Sequence, residues 1–248
     1  MLQQIKNLFA FLTILPAKMN QDCLSDCAKY MFLFPIIGGL IGFLGGVFGW
    51  AISWFLPALI VGPLTLAILL LLTGLHHTDG LLDFGDAVMA HGTAERKIEI
   101  MHDQLTGAGG LTLGIMTMLV TALCIAQIRF SILIQGIIVV EVAAKLSMVI
   151  GSWAGRAVHE GMNSSFLSAM HGSKGDARLV GAIAISFAIA APLLQVAGFA
   201  AVAAGIITAF VMVGISHRHF RGVTGDVLGA TNELARLSSL IVLLAMIR

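Results

Sequence analysis

Charge is the scarcest property of this 248-residue sequence: Lys, Arg, Asp and Glu make up 11% of it, against 58% hydrophobic residues and a mean hydropathy of +0.97. Soluble domains carry about 25% charged residues, so the composition excludes an ordinary soluble globule and indicates an integral membrane protein. Excess positive charge is missing as well. A formal net charge of +1 leaves no basic face for a nucleic acid, and no such partner is expected. Cysteine is nearly absent: Cys23, Cys27 and Cys124 can form neither a disulfide framework nor a paired zinc site, and they fit as small buried apolar residues. A cleavable leader is not expected either, because Met1 to Pro16 has too short an apolar core and no small-residue cleavage pattern.

What the chain has in abundance is long apolar runs. Crossing the hydrocarbon takes about 20 mostly apolar residues. Such runs are predicted at Met31 to Leu56, Ala58 to Leu75, Leu111 to Ile128, Ser131 to Ile150, Leu179 to Val196 and Phe199 to Ile215, with a seventh from the Asp226 region to Ile247. Leu2, Ile5, Leu8, Phe9 and Leu12 recur at helical spacing opposite Gln3, Lys6 and Asn7, which predicts an N-terminal helix in the membrane interface. The expected fold is therefore all-α: one polytopic helical bundle over residues 1–248, with six or seven transmembrane helices and membrane lipid around it. Gly38 to Gly49 reads as close helix packing through small residues.

Polar connections at His76 to Gly110, Gly151 to Arg178 and Ser216 to Arg236 alternate with short turns at Pro57, Gln127 to Phe130 and Gln195 to Gly198. Lys6, Lys18, Lys29, Arg96, Lys97, Arg156, Lys174, Arg178, Arg218, Arg221 and Arg236 fall on the side of the long connections; the other side holds only Arg129 and the terminal Arg248. The positive-inside rule then makes the long connections cytosolic and the membrane the cytoplasmic one.

The scarce charges gather in the stretch "GLHHTDGLLDFGD", Gly74 to Asp86. On a helix, the spacings of four and three place Asp79, Asp83 and Asp86 on one face. Adjacent carboxylates repel unless a cation sits among them, and oxygen-only ligands suit Mg²⁺, which is commonly held by one or two carboxylates together with substrate phosphates. His77 is a candidate base, phosphate donor or helix-start cap. In "ERKIEIMHDQLTGAGG", Ile98, Met101 and Leu105 form an apolar stripe that would lay a helix on the membrane surface and bring Asp103 toward the cluster; the glycines after it could admit a phosphate to backbone amides. A second polar stretch holds His217, Arg218, His219 and Arg221, then Asp226 in "TGD" and Asn232. Inside a span, Glu141 and Lys145 stand four apart and can pair. Carboxylates, nearby cations and glycine-flanked helix ends on one face point to metal-assisted transfer at a phosphate or diphosphate.

The pattern His77-x-Asp79-Gly80-x-x-Asp83-x-x-Asp86, followed by "EIMHD" (Glu99 to Asp103) and "GVTGDVLGA" (Gly222 to Ala230), resembles the adenosylcobinamide-GDP ribazoletransferase (cobalamin synthase) family; "FLTILP" (Phe11 to Pro16) and "FPIIGGLIG" (Phe34 to Gly42) add to the likeness. The resemblance covers nearly the whole chain. It implies a transferase that joins the phosphate of adenosylcobinamide-GDP to a ribose hydroxyl of α-ribazole or its 5′-phosphate and expels GMP. Magnesium is the implied cofactor, held by Asp79, Asp83 and Asp86, with His77 as base or phosphate contact. Asp103 and Asp226 would complete the site, and Lys145, His217, Arg218, Arg221 and Asn232 are the remaining substrate-binding candidates. Lys145 stands where the family usually has Arg. Assembly as a homo-oligomer is left open by the sequence.

Competing expectations are another intramembrane magnesium-dependent transferase and an ion transporter. A CDP-alcohol phosphotransferase would want an Ala-Arg pair where Leu82-Asp83 stands, and an aspartate-rich prenyltransferase would want two similar acidic loops. A transporter would distribute its acids through the bilayer, whereas these gather on one face.

Overall fold

A glycine stripe on one helix decides how the chain packs. The computed structural model describes residues 2–15, 23–158 and 162–247; Pro16, Lys18 and Arg248 lie outside the described residues. Within these the chain forms α1 (Leu2–Leu12), α2 (Cys23–Lys29), α3 (Phe34–Ile52), α4 (Ala58–Leu72), α5 (His76–Met89), α6 (Ala94–Met101), α7 (Ala108–Gln127), α8 (Leu133–Ala154), α9 (Met162–His171), α10 (Gly175–Phe220) and α11 (Gly225–Met246), with no strand among the described residues. The all-α expectation is met.

α8 is buried along almost its whole length, because α3 comes within backbone contact of it. Gly38, Gly42 and Gly46 stand one turn apart, and a Cβ on them would lie 2.5 Å from Glu141 O, 2.7 Å from Ile137 O and 2.9 Å from Ile134 Cα. Any larger residue would push the helices apart, which is how small residues hold membrane helices together without a hydrophobic driving force. Large apolar side chains such as Phe43, Leu59, Ile115, Val180 and Phe210 point outward from the bundle, an apolar exterior of the kind a membrane helix bundle presents.

Five helical stretches are long and apolar enough to cross a membrane, six if α4 and α5 form one bent span. One of the five is α10. Its 46 residues would run about 69 Å if straight, more than twice the hydrocarbon thickness. It reverses at Gln195 (φ 48°, ψ −127°), so that Phe187 stacks on Phe199 at 5.0 Å and Gly198 lies against the Ala190 carbonyl. The turn expected between Gln195 and Gly198 is thus present, and α10 is a helical hairpin.

The structure corrects three boundaries and one helix face. α4 ends at Leu72, not Leu75: Gly74 and Leu75 both take positive φ, and α5 leaves at 97° to α4. The polar stretch from Ser216 to Arg236 is mostly helix, leaving four connecting residues, 221–224, between α10 and α11. α6 stops at Met101, so the apolar stripe ends there and Leu105 is 80% exposed. On α1, Asn7 faces inward with Leu8 and Leu12, because its amide donates to Asp26 Oδ2 at 2.8 Å. The three cysteines are free and buried.

At the end of the bundle away from α5, Trp50, Trp54 and Phe130 pack together beside Arg129, with ring centroids 5.5–5.9 Å apart. Such amphipathic aromatics favour the membrane–water boundary.

Candidate active site

α5 is launched by a left-handed elbow. The N–H of Leu75 returns to Leu70 O and that of Gly74 to Leu71 O, closing α4, while Ile14 N–H donates to Leu72 O at 2.9 Å and ties the chain after α1 to the same corner. The helix then crosses the start of α11 at two glycines: a Cβ on Gly80 would lie 2.9 Å from Asp226 Cα, and one on Gly229 would lie 3.2 Å from His77 Cα. This crossing brings "TGD" beside "HHTDG". Thr224 caps α11 by accepting from Val227 N–H at 3.2 Å, which leaves Asp226 in the first turn, where the helix dipole favours an anion.

A cavity of about 530 Å³ opens at this crossing. His76, His77, Asp79 and Asp226 form its polar end, joined by Asn163 of α9. Asp83 is half-buried one turn along α5 from Asp79. Its carboxyl is pushed up to about 7, first by burial and then by the charges of Asp79, Asp226 and Asp86. His77 is buried and its imidazole is held well below the usual histidine range, by burial first and then by Lys145, Arg236 and His76. The ring is therefore neutral, and its Nδ1 makes no hydrogen bond.

The carboxylates on the shared face have unlike surroundings. Asp86 accepts from Gly107 N–H at 2.6 Å and Gly110 N–H at 2.8 Å, which caps the start of α7. The glycine amides offered by the sequence as a phosphate cradle are thus engaged by Asp86. Among the described residues no three acidic, histidine or cysteine side chains converge into a ready metal site. The donor chemistry still fits a hard cation. Asp79, Asp83 and Asp226 supply only oxygen, and burial together with the neighbouring acids raises the Asp83 carboxyl to about 7.

Other expected residues lie elsewhere. Asp103 is exposed and accepts from Leu105 N–H at 3.2 Å, a local turn; its neighbour His102 is the one that approaches the cluster, with Nε2 4.0 Å from Asp226 Oδ2. His217 accepts from Arg156 N–H at 3.3 Å, Arg221 donates to Glu95 Oε1 at 2.7 Å, and Arg218 is exposed; none of the three lines the cavity. Next to His217, His219 accepts from Lys97 Nζ at 2.8 Å, so this basic stretch fastens α10 to α6.

Lys145 and Asn232 belong to a fully buried network. Lys145 Nζ donates to Asn232 Oδ1 at 2.6 Å and stands 3.8 Å from Glu141 Oε2. Arg236 grips both oxygens of Glu141, through Nε and through Nη2 at 3.3 Å, and also donates to Glu233. Two acids and two cations balance within the bundle. In the sequence Arg236 falls with the cytosolic positive charges; the structure corrects this, burying Arg236 with Glu233 inside α11, where charges at depth call for partners. No sequence signal pointed to Asn163, which reaches the cavity through tertiary packing alone.

The profile of the cobalamin-5-phosphate synthase family matches residues 4–244. The chain is 35% identical to the adenosylcobinamide-GDP ribazoletransferase of Methanocella arvoryzae, over 97% of this chain and 94% of that protein. It is 30% identical to the enzyme of that name from Methanococcoides burtonii, over 96% of this chain and 90% of the relative. The counterpart from Halorubrum lacusprofundi is 31% identical over 96% and 95%. No solved structure matches the chain.

Proposed function

Because the chain belongs to the cobalamin-5-phosphate synthase family, we propose a mechanism for the nucleotide-loop joining step of cobalamin synthesis at the α5–α11 crossing. The protein is an adenosylcobinamide-GDP ribazoletransferase. A ribose hydroxyl of α-ribazole, or of its 5′-phosphate, forms a bond to the phosphorus attached to adenosylcobinamide. The diphosphate bridge breaks, and GMP departs with the bonding electrons.

The observation that carries the site assignment is the meeting of Asp79 and Asp226 on one cavity, with Asp83 one turn from Asp79 on α5 and its carboxyl raised to about 7 by burial and by the neighbouring acids. Asp79, Asp83 and Asp226 would hold Mg²⁺ together with diphosphate oxygens. Bound there, the ion would neutralise charge on the diphosphate. Asp86 fixes α7 against α5 and keeps the aspartate face in register. His77 lines the cavity with a neutral ring, suited to a hydrogen bond with the attacking hydroxyl; its Nδ1 is buried without a partner. The distribution of Lys and Arg supports a site facing the cytosol across the cytoplasmic membrane.

Purified protein in lipid, supplied with adenosylcobinamide-GDP, α-ribazole and magnesium, is expected to release cobalamin and GMP. Turnover of CDP-alcohols with no cobalamin would reject the assignment. A pH dependence follows from Asp83. Folded, it keeps its proton to about 7 rather than 3.8, so the metal-free protein loses stability as pH rises between those values. Below pH 7, magnesium must displace that proton, and its apparent affinity should weaken about tenfold for each unit the pH falls. Calorimetric titration with MgCl₂ at pH 6 and pH 8 checks this; equal affinities would exclude Asp83 from the ligand set.

A further inference from the structure

The cavity also has an apolar lining that the mechanism does not use. Phe11 of α1, Phe34 of α3 and Phe166 of α9 contribute to it, with Phe34 fully buried. Their rings form a triangle, with centroids 5.4 Å apart for Phe11 and Phe166, 6.2 Å for Phe34 and Phe166, and 6.4 Å for Phe11 and Phe34. Met31, Met148 and Leu228 complete this wall, and none of these six side chains carries a hydrogen-bonding group beyond weak sulfur.

We propose that this aromatic wall is the subsite for the base of the acceptor nucleoside. The inference rests on the transfer reaction stated above. Of the groups that reaction brings in, three could occupy an apolar end: the corrin, the guanine and the base of α-ribazole. The corrin carries a rim of amides, and guanine has a donor and acceptor edge; both would lose hydrogen bonds against six apolar side chains, and an unmade buried hydrogen bond is costly. A benzimidazole-type base has an apolar outer edge and a flat face, which match rings that stack or tilt against it. A volume of about 530 Å³ suits a nucleoside-sized ligand rather than a whole corrinoid. Continuity with Asp79 and His77 means that a base seated on the phenylalanines leaves its ribose at the polar end, where the hydroxyl must attack.

The test separates the two substrates. Phe166→Ala and Phe11→Leu should each raise KM for α-ribazole roughly tenfold, the loss expected for one base–aromatic contact, and leave KM for adenosylcobinamide-GDP within about twofold. Wild-type protein given an imidazole riboside, which lacks the fused ring, should show the same selective rise; Phe166→Ala should no longer distinguish the two nucleosides. This second comparison is made on unmodified protein and does not depend on a variant folding. Equal rises in both KM values, or a rise confined to adenosylcobinamide-GDP, would overturn the proposal. Unchanged KM values would do the same. Equilibrium dialysis of α-ribazole alone reads the subsite without turnover: a selective loss of binding in Phe166→Ala supports it, and undiminished binding refutes it. A wild-type protein that binds α-ribazole on this wall but makes no cobalamin would refute the reaction and not the subsite.

Discussion

Asp83→Asn should abolish turnover, by roughly a thousandfold, in a protein that still folds and inserts. Loss of a single group that stabilises transition-state charge costs about 10² to 10³ in rate, and Asp83 would be lost both as charge and as ligand. The fold should survive because Asp83 makes no structural bond comparable to the cap formed by Asp86, and the substitution removes repulsion from Asp79, Asp226 and Asp86. The metal-free variant is therefore expected to be somewhat more stable than the wild type at pH 8. Initial rates at saturating substrates and thermal unfolding in detergent provide the two readouts. Activity near wild type would remove Asp83 from the mechanism, and unfolding would show that its role is structural.

Arg236→Leu should be the most damaging single change to stability, costing about 3–5 kcal/mol, the usual penalty for removing one partner of a buried ion pair. Arg236 is fully buried and engages Glu141 and Glu233, so its loss leaves two buried carboxylates facing Lys145 alone. The charge balance gives a sharper test than the single variant. Arg236→Leu combined with Glu233→Leu removes one charge of each sign, retains the Glu141–Lys145 pair, and should recover most of the lost stability. If the double variant is no more stable than Arg236→Leu, packing of the guanidinium dominates, and the electrostatic account fails. The measurement is the unfolding free energy in detergent, with the two single variants and the double variant closing a cycle.

Much of this architecture was legible in the sequence because the bilayer imposes a length and a polarity on each helix. The apolar runs, the glycine seam of α3 and the Gln195 turn were all marked by residue type. What escaped depends on contacts between distant segments. The spacing of Asp79, Asp83 and Asp86 places them on one helical face, but only the approach of α7 engages Asp86 with the amides of Gly107 and Gly110. In "EIMHD" the apolar stripe implied a surface helix that would bring Asp103 toward the cluster; α6 ends at Met101, and it is His102 that stands 4.0 Å from Asp226. His217, Arg218 and Arg221 read as substrate-binding candidates; His217 and Arg221 are engaged by the Arg156 amide and Glu95, and their neighbour His219 by Lys97. Folding supplies partners from distant segments, an acid for Arg221 and hydrogen-bond donors for His217 and His219, and a linear sequence does not display that pairing.

The shortness of α4 has a consequence for the surrounding lipid. Fifteen residues rise about 22 Å, some 8 Å less than the hydrocarbon of a typical bilayer. With α4 as a separate span, an elbow at Gly74 and Leu75 that delivers α5 to water would require the bilayer to thin around it, and thinning carries an elastic penalty that grows with acyl-chain length. The expected result is faster turnover in short-chain than in long-chain lipid vesicles; equal rates would detach the elbow from bilayer thickness.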